Sequence, residues 1–350
     1  MKLGLQLGYW GAQPPANAQE LVNEADASGF DAVFSAESWG NDAFTPLAWW
    51  GSSTDRIRLG TSVAQMSART PTNCAMHALT LDHLSGGRAI LGLGVSGPQV
   101  VEGWYGQPFQ KPLARTREYV SIVRQVLARE AAVRGDGPHY PLPYTGSGSM
   151  GLGKPLKPIT HPLRADLPIW LGAEGPKNVA LTAEIADGWL AIYYTPRLAP
   201  MYNEWLDEGF ARAGARRSRE DFEIAATCQV VVTDDRQAEI DKLRPITALY
   251  VGGMGAAEMN FHAQVYTRMG YGDEVEEIRS SSCPAARPRR RRSCRTRWSP
   301  TTMIIGNRDE VRAQVKEWED AGVTMLLVTC RNVETCASSQ RPSEPSDPAM

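Results

Sequence analysis

Residues 57–97 read IRLGTSVAQMSARTPTNCAMHALTLDHLSGGRAILGLGVSG. Two short apolar runs, 57–63 (IRLGTSV) and 88–94 (RAILGLG), flank a segment with helical spacing at 72–84 (TNCAMHALTLDHL). Strand, helix, strand in this order makes the two strands parallel, with the helix as crossover. The same alternation extends upstream. Residues 3–8 (LGLQLG) and 31–36 (DAVFSA) read as strands, 16–29 as a helix stopped by Gly29, and 44–54 as a helix. Downstream, a helix is predicted at 112–130, a strand at 168–172, a helix at 176–186 and a strand at 188–193. A strand follows at 222–232, a helical region near 255–278, a helix at 308–321 and a last strand at 323–329. A closed barrel and an open doubly wound sheet both satisfy repeated βα units. Roughly eight strands without a break between domains favour an α/β fold of the (β/α)8 TIM-barrel type, one domain over 1–334. The segment 135–165 is rich in Pro and Gly and too long for an ordinary connection, so it is expected to be a lid or hairpin insertion.

Bulk properties exclude several classes. The 350 residues are 42% hydrophobic and 22% charged with a formal net charge of −2, so neither a nucleic-acid nor a membrane partner is expected. The start, MKLGLQLGYWG, reads as a first strand and not as a signal peptide. No run approaches the ~20 apolar residues of a membrane span. Cys74, Cys228, Cys283, Cys294, Cys330 and Cys336 form no CxxC pair, which suggests reduced thiols in a cytoplasmic protein and no metal site.

In a barrel of this type the chemistry gathers at the C-terminal ends of the strands. Those ends read Gly8-Tyr9-Trp10, Glu37-Ser38-Trp39-Gly40, Thr61-Ser62-Val63-Ala64, Gly92 to Gly97, and Gly172-Ala173-Glu174-Gly175-Pro176. Small residues there leave room for a flat ligand against backbone, and aromatic residues beside them can stack on it. GLGVSG at 92–97 resembles a dinucleotide fingerprint, but it lacks the third glycine in register and the distant acid. A tight turn without ligand and a contact to a cofactor ring or phosphate both remain open, the second favoured. Gly175-Pro176-Lys177-Asn178 opens a helix whose free N–H groups could hold a phosphate; a plain helix start is the alternative. Glu37 is the best acid/base candidate, its other role being a hydrogen-bond anchor. Trp10, Trp39, Trp104 and Tyr105 are candidate walls of a substrate pocket, or else core packing. His77 and His83 are six apart and do not share a helix face, and His83 is expected to pack beneath the barrel.

The ordered motifs Leu59-Gly60-Thr61-Ser62-Val63, Arg69-Thr70-Pro71, Leu81-Asp82-His83-Leu84-Ser85-Gly86-Gly87-Arg88, Gly92-Leu93-Gly94, Gly175-Pro176 and Ala186-Asp187-Gly188-Trp189 resemble the luciferase-like monooxygenase family. The segment GLGVSGPQVVEGWYGQPF resembles its actinobacterial branch, which uses coenzyme F420, a 5-deazaflavin, in place of FMN. The resemblance covers residues 1–278 and 303–334. It implies a cytoplasmic homodimer that uses the cofactor to transfer hydride to or from a small organic substrate. An FMN-dependent monooxygenase and a cofactor-binding protein without turnover are the alternatives. It also implies a bulged third strand with a cis peptide at Ser62–Val63 against the ring. Glu37 would lie beside the ring, Gly94, Val95, Ser96 and Gly97 near it, and Gly172, Ala173, Gly175, Pro176 and Lys177 on the phosphate side. The second strand lacks the Asp-His pair of the sugar-phosphate dehydrogenase branch, so that substrate is not implied.

Residues 279–302 (RSSSCPAARPRRRRSCRTRWSPTT) depart from the rest. They hold eight Arg and no acid, and without them the formal charge falls from −2 to −10. A solvated basic loop is one reading. We read the stretch as translated out of frame. With suitable synonymous codons, a one-nucleotide shift turns 280–302 into ELFLPGRKAEAAAVLPDALVTND, an amphipathic helix, and Thr335 onward into TLRQLAA. On this reading 335–350 is an aberrant tail.

Overall fold

The computed structural model describes residues 1–248, 251, 260–280 and 302–329. Residues 281–301 of the arginine-rich segment, the tail 335–350, and Cys283, Cys294, Cys330 and Cys336 lie outside the described residues.

Strands and helices alternate along the chain. The strands are β1 (Lys2–Gly8), β2 (Ala32–Ser35), β3 (Arg58–Thr61), β4 (Ala64–Gln65), β5 (Ala89–Gly94), β6 (Ile169–Gly172), β7 (Gly188–Ala191), β8 (Glu223–Val232), β9 (Met303–Gly306) and β10 (Met325–Val328). The helices are α1 (Ala18–Ala27), α2 (Phe44–Gly51), α3 (Pro71–Leu84), α4 (Pro98–Gly103), α5 (Pro112–Ala128), α6 (Pro176–Ile185), α7 (Ala199–Phe210), α8 (Arg236–Ala248), α9 (Phe261–Arg268), α10 (Gly272–Ser280) and α11 (Arg308–Asp320). The order β10-β1-β2-β3-β5-β6-β7-β8 closes through a β8–β10 pairing into a ring of eight parallel strands, the (β/α)8 barrel. β8 is long enough to serve twice. Ala225–Cys228 pair with β10, and Gln229–Val232 pair with β9 outside the ring. The elements α4, α7, α8 and β9 were not predicted from sequence. α4 has only six residues, and β9 is a second partner for a strand already counted.

The barrel interior is filled by side chains. Ala32, Phe34, Ile90, Trp170, Leu190, Ala225, Met325 and Leu327 form one buried cluster, with Phe34 and Trp170 stacked at 5.7 Å. Glycines make room for the two rings. A Cβ on Gly60 would stand 2.3 Å from the Phe34 ring, and one on Gly188 2.8 Å from Trp170. Truncating either ring to Ala would cost roughly 3–5 kcal/mol. A larger shell of apolar residues, among them Leu5, Val33, Leu59, Leu91, Leu171 and Leu326, packs the strands against the helices.

The lower rim, at the N-terminal ends of the strands, is stitched by charge. Asp82 accepts from the Ala89 N–H (3.1 Å) and pairs with Arg164. Asp187 accepts from the Ile169 N–H (2.8 Å), from Arg124, and from the Nε atoms of Arg216 (2.8 Å) and Arg217 (2.7 Å). Arg88 donates to Thr54 Oγ1 and to the carbonyls of Gly51, Ile57 and Ser85. His83 is exposed at the end of α3, its Nε2 2.8 Å from the His161 carbonyl, so it does not pack beneath the barrel.

The 135–165 insertion is neither a lid nor a regular hairpin. Its one bridge joins Gly135 and Leu142. It climbs the flank of α5, where the Tyr140 hydroxyl meets Arg115 and Glu118 accepts from the His139 and Tyr140 N–H groups. It returns to the lower rim at His161 and Arg164, away from the barrel mouth. The Gly and Pro residues that suggested a lid spend their turns on the outside.

Candidate active site

The third strand breaks on its way to the mouth. Gly60 stands opposite Ile90, while Ala64 stands opposite Leu93. Four steps on one strand match three on the other, so β3 and β4 are joined by a one-residue bulge. The Ser62–Val63 peptide within it is cis. The bulge is tied to β2: the Ser62 N–H donates to the Ser35 carbonyl (2.6 Å), and the Glu37 N–H to the Val63 carbonyl (3.2 Å). Gln6 on β1 donates to Ser62 Oγ at 3.2 Å.

This places Val63 as the floor of the mouth. Its side chain rests on the interior cluster and stays partly exposed. Glycines border it. A Cβ on Gly94 would lie 2.4 Å from Val63 Cγ2, and one on Gly172 3.2 Å from Cγ1. Gln6, Ile192, Thr227 and Gln229 on the surrounding strands are also partly exposed. Above a closed interior the strand ends thus present Val63 as a partly exposed apolar floor.

Glu37 is buried and its carboxylate is fully engaged. Arg69 grips it with two hydrogen bonds (2.6 and 2.8 Å), and the Gln65 N–H donates to Oε2 at 2.7 Å. That geometry gives Glu37 the anchor role left open by the sequence and holds β2 to the bulge. Arg69 was visible in the Arg69-Thr70-Pro71 motif, but a pair separated by 32 residues is created only by the fold.

The aromatic candidates form an arc over the ends of β1, β2 and β5. Trp39 and Trp104 are about half exposed or more, so core packing is excluded for them. Tyr105 donates to the Ser38 carbonyl (2.9 Å) and struts the β5 loop against the β2 loop. The Trp10 N–H donates to Asn41 Oδ1 (2.8 Å), while its indole Nε1 is buried without a partner. In the next loop Ser96 has φ +57° and Gly97 caps α4, with Val95 beside Met66 and Ser67.

β6 stands four places from β1 in the ring of eight, directly across the mouth. There Gly175 caps α6, and Pro176 and Lys177 in its first turn are exposed. Ala173 is buried and its carbonyl accepts from Trp189 Nε1 (2.9 Å), so it serves the wall and not the cavity. Glu174 lies two residues beyond the end of β6 and is half-buried. Its Oε1 lies 3.5 Å from His262 Nδ1, which is 3.0 Å from the Tyr193 hydroxyl. Burial pushes the Glu174 carboxyl up to about 7 against the pull of Arg268, and burial pushes the His262 imidazole down to about 4. Tyr202 is driven well above the ordinary phenol range by burial and by the nearby Glu174. Glu174, Tyr193, His262 and Arg268 were not selected from sequence. A carboxylate two residues past an inward glycine was the available signal for Glu174. The others come from a separate strand end and from α9, and no spacing links them.

The profile of the family described as luciferase-like monooxygenase matches residues 3–325. A Mycobacterium tuberculosis protein that carries the provisional name coenzyme F420-dependent oxidoreductase is 68% identical over 334 residues, 95% of this chain and 96% of that one. A 5,10-methylenetetrahydromethanopterin reductase of Archaeoglobus fulgidus is 32% identical over 242 residues, 69% of this chain and 68% of the relative. Among solved structures, the coenzyme F420-dependent tetrahydromethanopterin reductase of Methanopyrus kandleri superposes with a TM-score of 0.70 at 22% identity, covering 97% of this chain and 96% of that one, a likeness of fold.

Proposed function

Because the chain belongs to the luciferase-like monooxygenase family, we propose that it is an oxidoreductase that uses coenzyme F420 to move a hydride to or from a small organic substrate. The observation that carries this reading is the mouth itself, an apolar floor at Val63 between Gly94 and Gly172. Around it, Gln6 Oε1, Trp10 Nε1, Gln65 Oε1, Ser67 Oγ and Glu174 Oε2 are buried polar atoms without partners among the described residues. Orphaned polar atoms around a flat apolar floor fit a ligand with a planar ring and a polar edge. A deazaflavin has both, together with a phosphate-bearing arm that suits the N-terminus of α6.

When bound, the cofactor supplies a hydride at its C5. The chain's residues do the rest. Val63, Gly94 and Gly172 bed the ring; Val95, Ser96 and Gly97 border it; and Gly175, Pro176 and Lys177 receive the arm. Glu37 fixes the bulge through Arg69. Trp10, Trp39, Trp104 and Tyr105 shield a small substrate from water on the β1–β2 side. The M. tuberculosis relative supports the cofactor assignment. Titration of the purified protein with F420 and FMN is expected to show tighter binding of F420. Equal or tighter binding of FMN would replace this reading with a flavin monooxygenase. Exposed Trp49 on α2 and Met76 on α3 support a homodimer, which sedimentation velocity tests. No helix among the described residues is long and apolar enough to cross a membrane.

A further inference from the structure

Glu174 enters the function just described only through its unpartnered Oε2, and its surroundings are unusual for a carboxylate. It directly precedes Gly175, the cap of α6. Its Oε2 is buried without a partner, and its Oε1 faces His262. Among the described residues, His262 on α9 meets it at 3.5 Å and is itself met by the Tyr193 hydroxyl, while Tyr202 on α7 and Arg268 on α9 interact with it by charge. Arg268 acts on it by charge at a distance while stacking over Trp205 at 5.9 Å. Among the described residues no arginine grips it as Arg69 grips Glu37.

We propose that Glu174 couples binding of the cofactor's anionic arm to the uptake of one proton. The proposal rests on the reading that the ligand is F420. An anion at the first turn of α6 would lie within about one turn of Glu174, ~5 Å. Two negative charges that close repel, the more so as Glu174 Oε2 is removed from water. A neutral Glu174 removes the repulsion and turns Oε2 into a hydrogen-bond donor for an oxygen of the ligand. Burial already favours that neutral form, and burial of His262 disfavours the charged pair that the two could otherwise make. Ligand binding then completes what the fold began. Solvent supplies the proton, and no bond other than O–H forms or breaks.

The test is calorimetric titration of F420 into the full-length protein between pH 6 and 9, in buffers of different ionisation heat. The wild type is expected to take up as much as one proton per cofactor near pH 8. Its affinity should fall by up to about tenfold per pH unit above 7. Glu174→Gln keeps a neutral donor, so its affinity should be higher than wild type at pH 8 and should lack that dependence. The difference between the two profiles removes protons taken up by the cofactor itself. Identical proton uptake in the two proteins overturns the proposal. If F420 fails to bind the wild type at every pH, the cofactor reading falls and takes this proposal with it. A measurement without any variant guards against a misfolded mutant. Infrared titration of the cofactor-free wild type should show a protonated carboxyl persisting to about pH 7. Full ionisation of all carboxyls by about pH 5.5 overturns the proposal.

Discussion

The lower rim of the barrel and its mouth treat buried charge in opposite ways. At the rim, Asp82 and Asp187 are each wrapped by arginine and by a backbone N–H of the strand they precede or flank. Only Arg58 Nη2 and Arg124 Nε are left without a partner there among the described residues. At the mouth, five buried polar atoms have no partner among the described residues, and one carboxyl is held near neutral by burial. The rim spends its charges on holding the strands in register. The mouth leaves hydrogen-bonding capacity unused among the described residues. Asp82, Arg88 and Asp187 belong to the motifs that carried the family resemblance, as do Ser62, Arg69 and Gly94 at the mouth, so scaffold and mouth are both recognisable in this sequence.

The contrast predicts the largest effect at the rim. Asp187→Ala leaves Arg124, Arg216 and Arg217 without their shared carboxylate and should cost roughly 3–5 kcal/mol in urea unfolding. F420 affinity, measured well below the transition, should change less than about twofold, within ~0.4 kcal/mol. A stability loss under about 1 kcal/mol would show that the rim is no clamp. Next comes the one mouth carboxylate that behaves like a rim residue. Arg69→Met strands the buried Glu37 charge and should cost roughly 3 kcal/mol. Adding Glu37→Gln should restore part of that loss, a coupling that thermal unfolding of the four proteins measures. If the two losses simply add, Glu37 is no anchor and its acid/base role returns.

Position was more legible than role. The strand ends that build the mouth follow from apolar periodicity and the βα rhythm, since each strand is set by its own neighbours in sequence. Val63, Gly94 and Gly172 lie at three of those ends, and the fold brings them into contact. Electrostatics was not legible. Glu37 has no sequence mark that separates a free acid from a salt-bridged strut. The Glu174–His262 contact joins residues on a strand end and on α9. The same blindness hid the path of 135–165, because composition reveals turns but not the surface on which they lie.

A smaller effect sharpens the mouth's side of the contrast. Gly94→Ala pushes a methyl into Val63 and should cost about 1–3 kcal/mol in stability. F420 affinity should drop at least about tenfold, ~1.4 kcal/mol. Unchanged affinity would remove Val63 from the floor. The smallest effect is a slope. Glu174 is raised from 4.5 to about 7 in the folded protein, so folding holds its proton longer and stability falls as pH rises through that window. His262 is lowered from 6.5 to about 4, so folding sheds its proton and stability rises with pH between those values. From about pH 4.5 to 6.5 the two slopes oppose each other. Relative to wild type, Glu174→Gln should gain stability with rising pH there, and His262→Gln should lose it, each by up to about 1.4 kcal/mol per unit. Parallel curves for all three proteins would mean that neither group is perturbed by burial.

The extra residue between β3 and β4 sets a parity for everything after it. Side chains on a strand alternate faces, so the count of residues between Gly60 and Ala64 decides which of them look into the mouth. Deleting one residue there would close the bulge: Ala64 and Gln65 could keep Leu93 and Gly94 as partners, but the irregular step that carries Ser62 and Val63 would be gone. Lengthening the β2–α2 or β5–α4 loop changes only a reach. Variation in ligand preference among close relatives of this chain should therefore accumulate as substitutions at 62–65 and as insertions elsewhere around the mouth, because at this strand a single residue gained or lost changes the irregularity on which the floor is built.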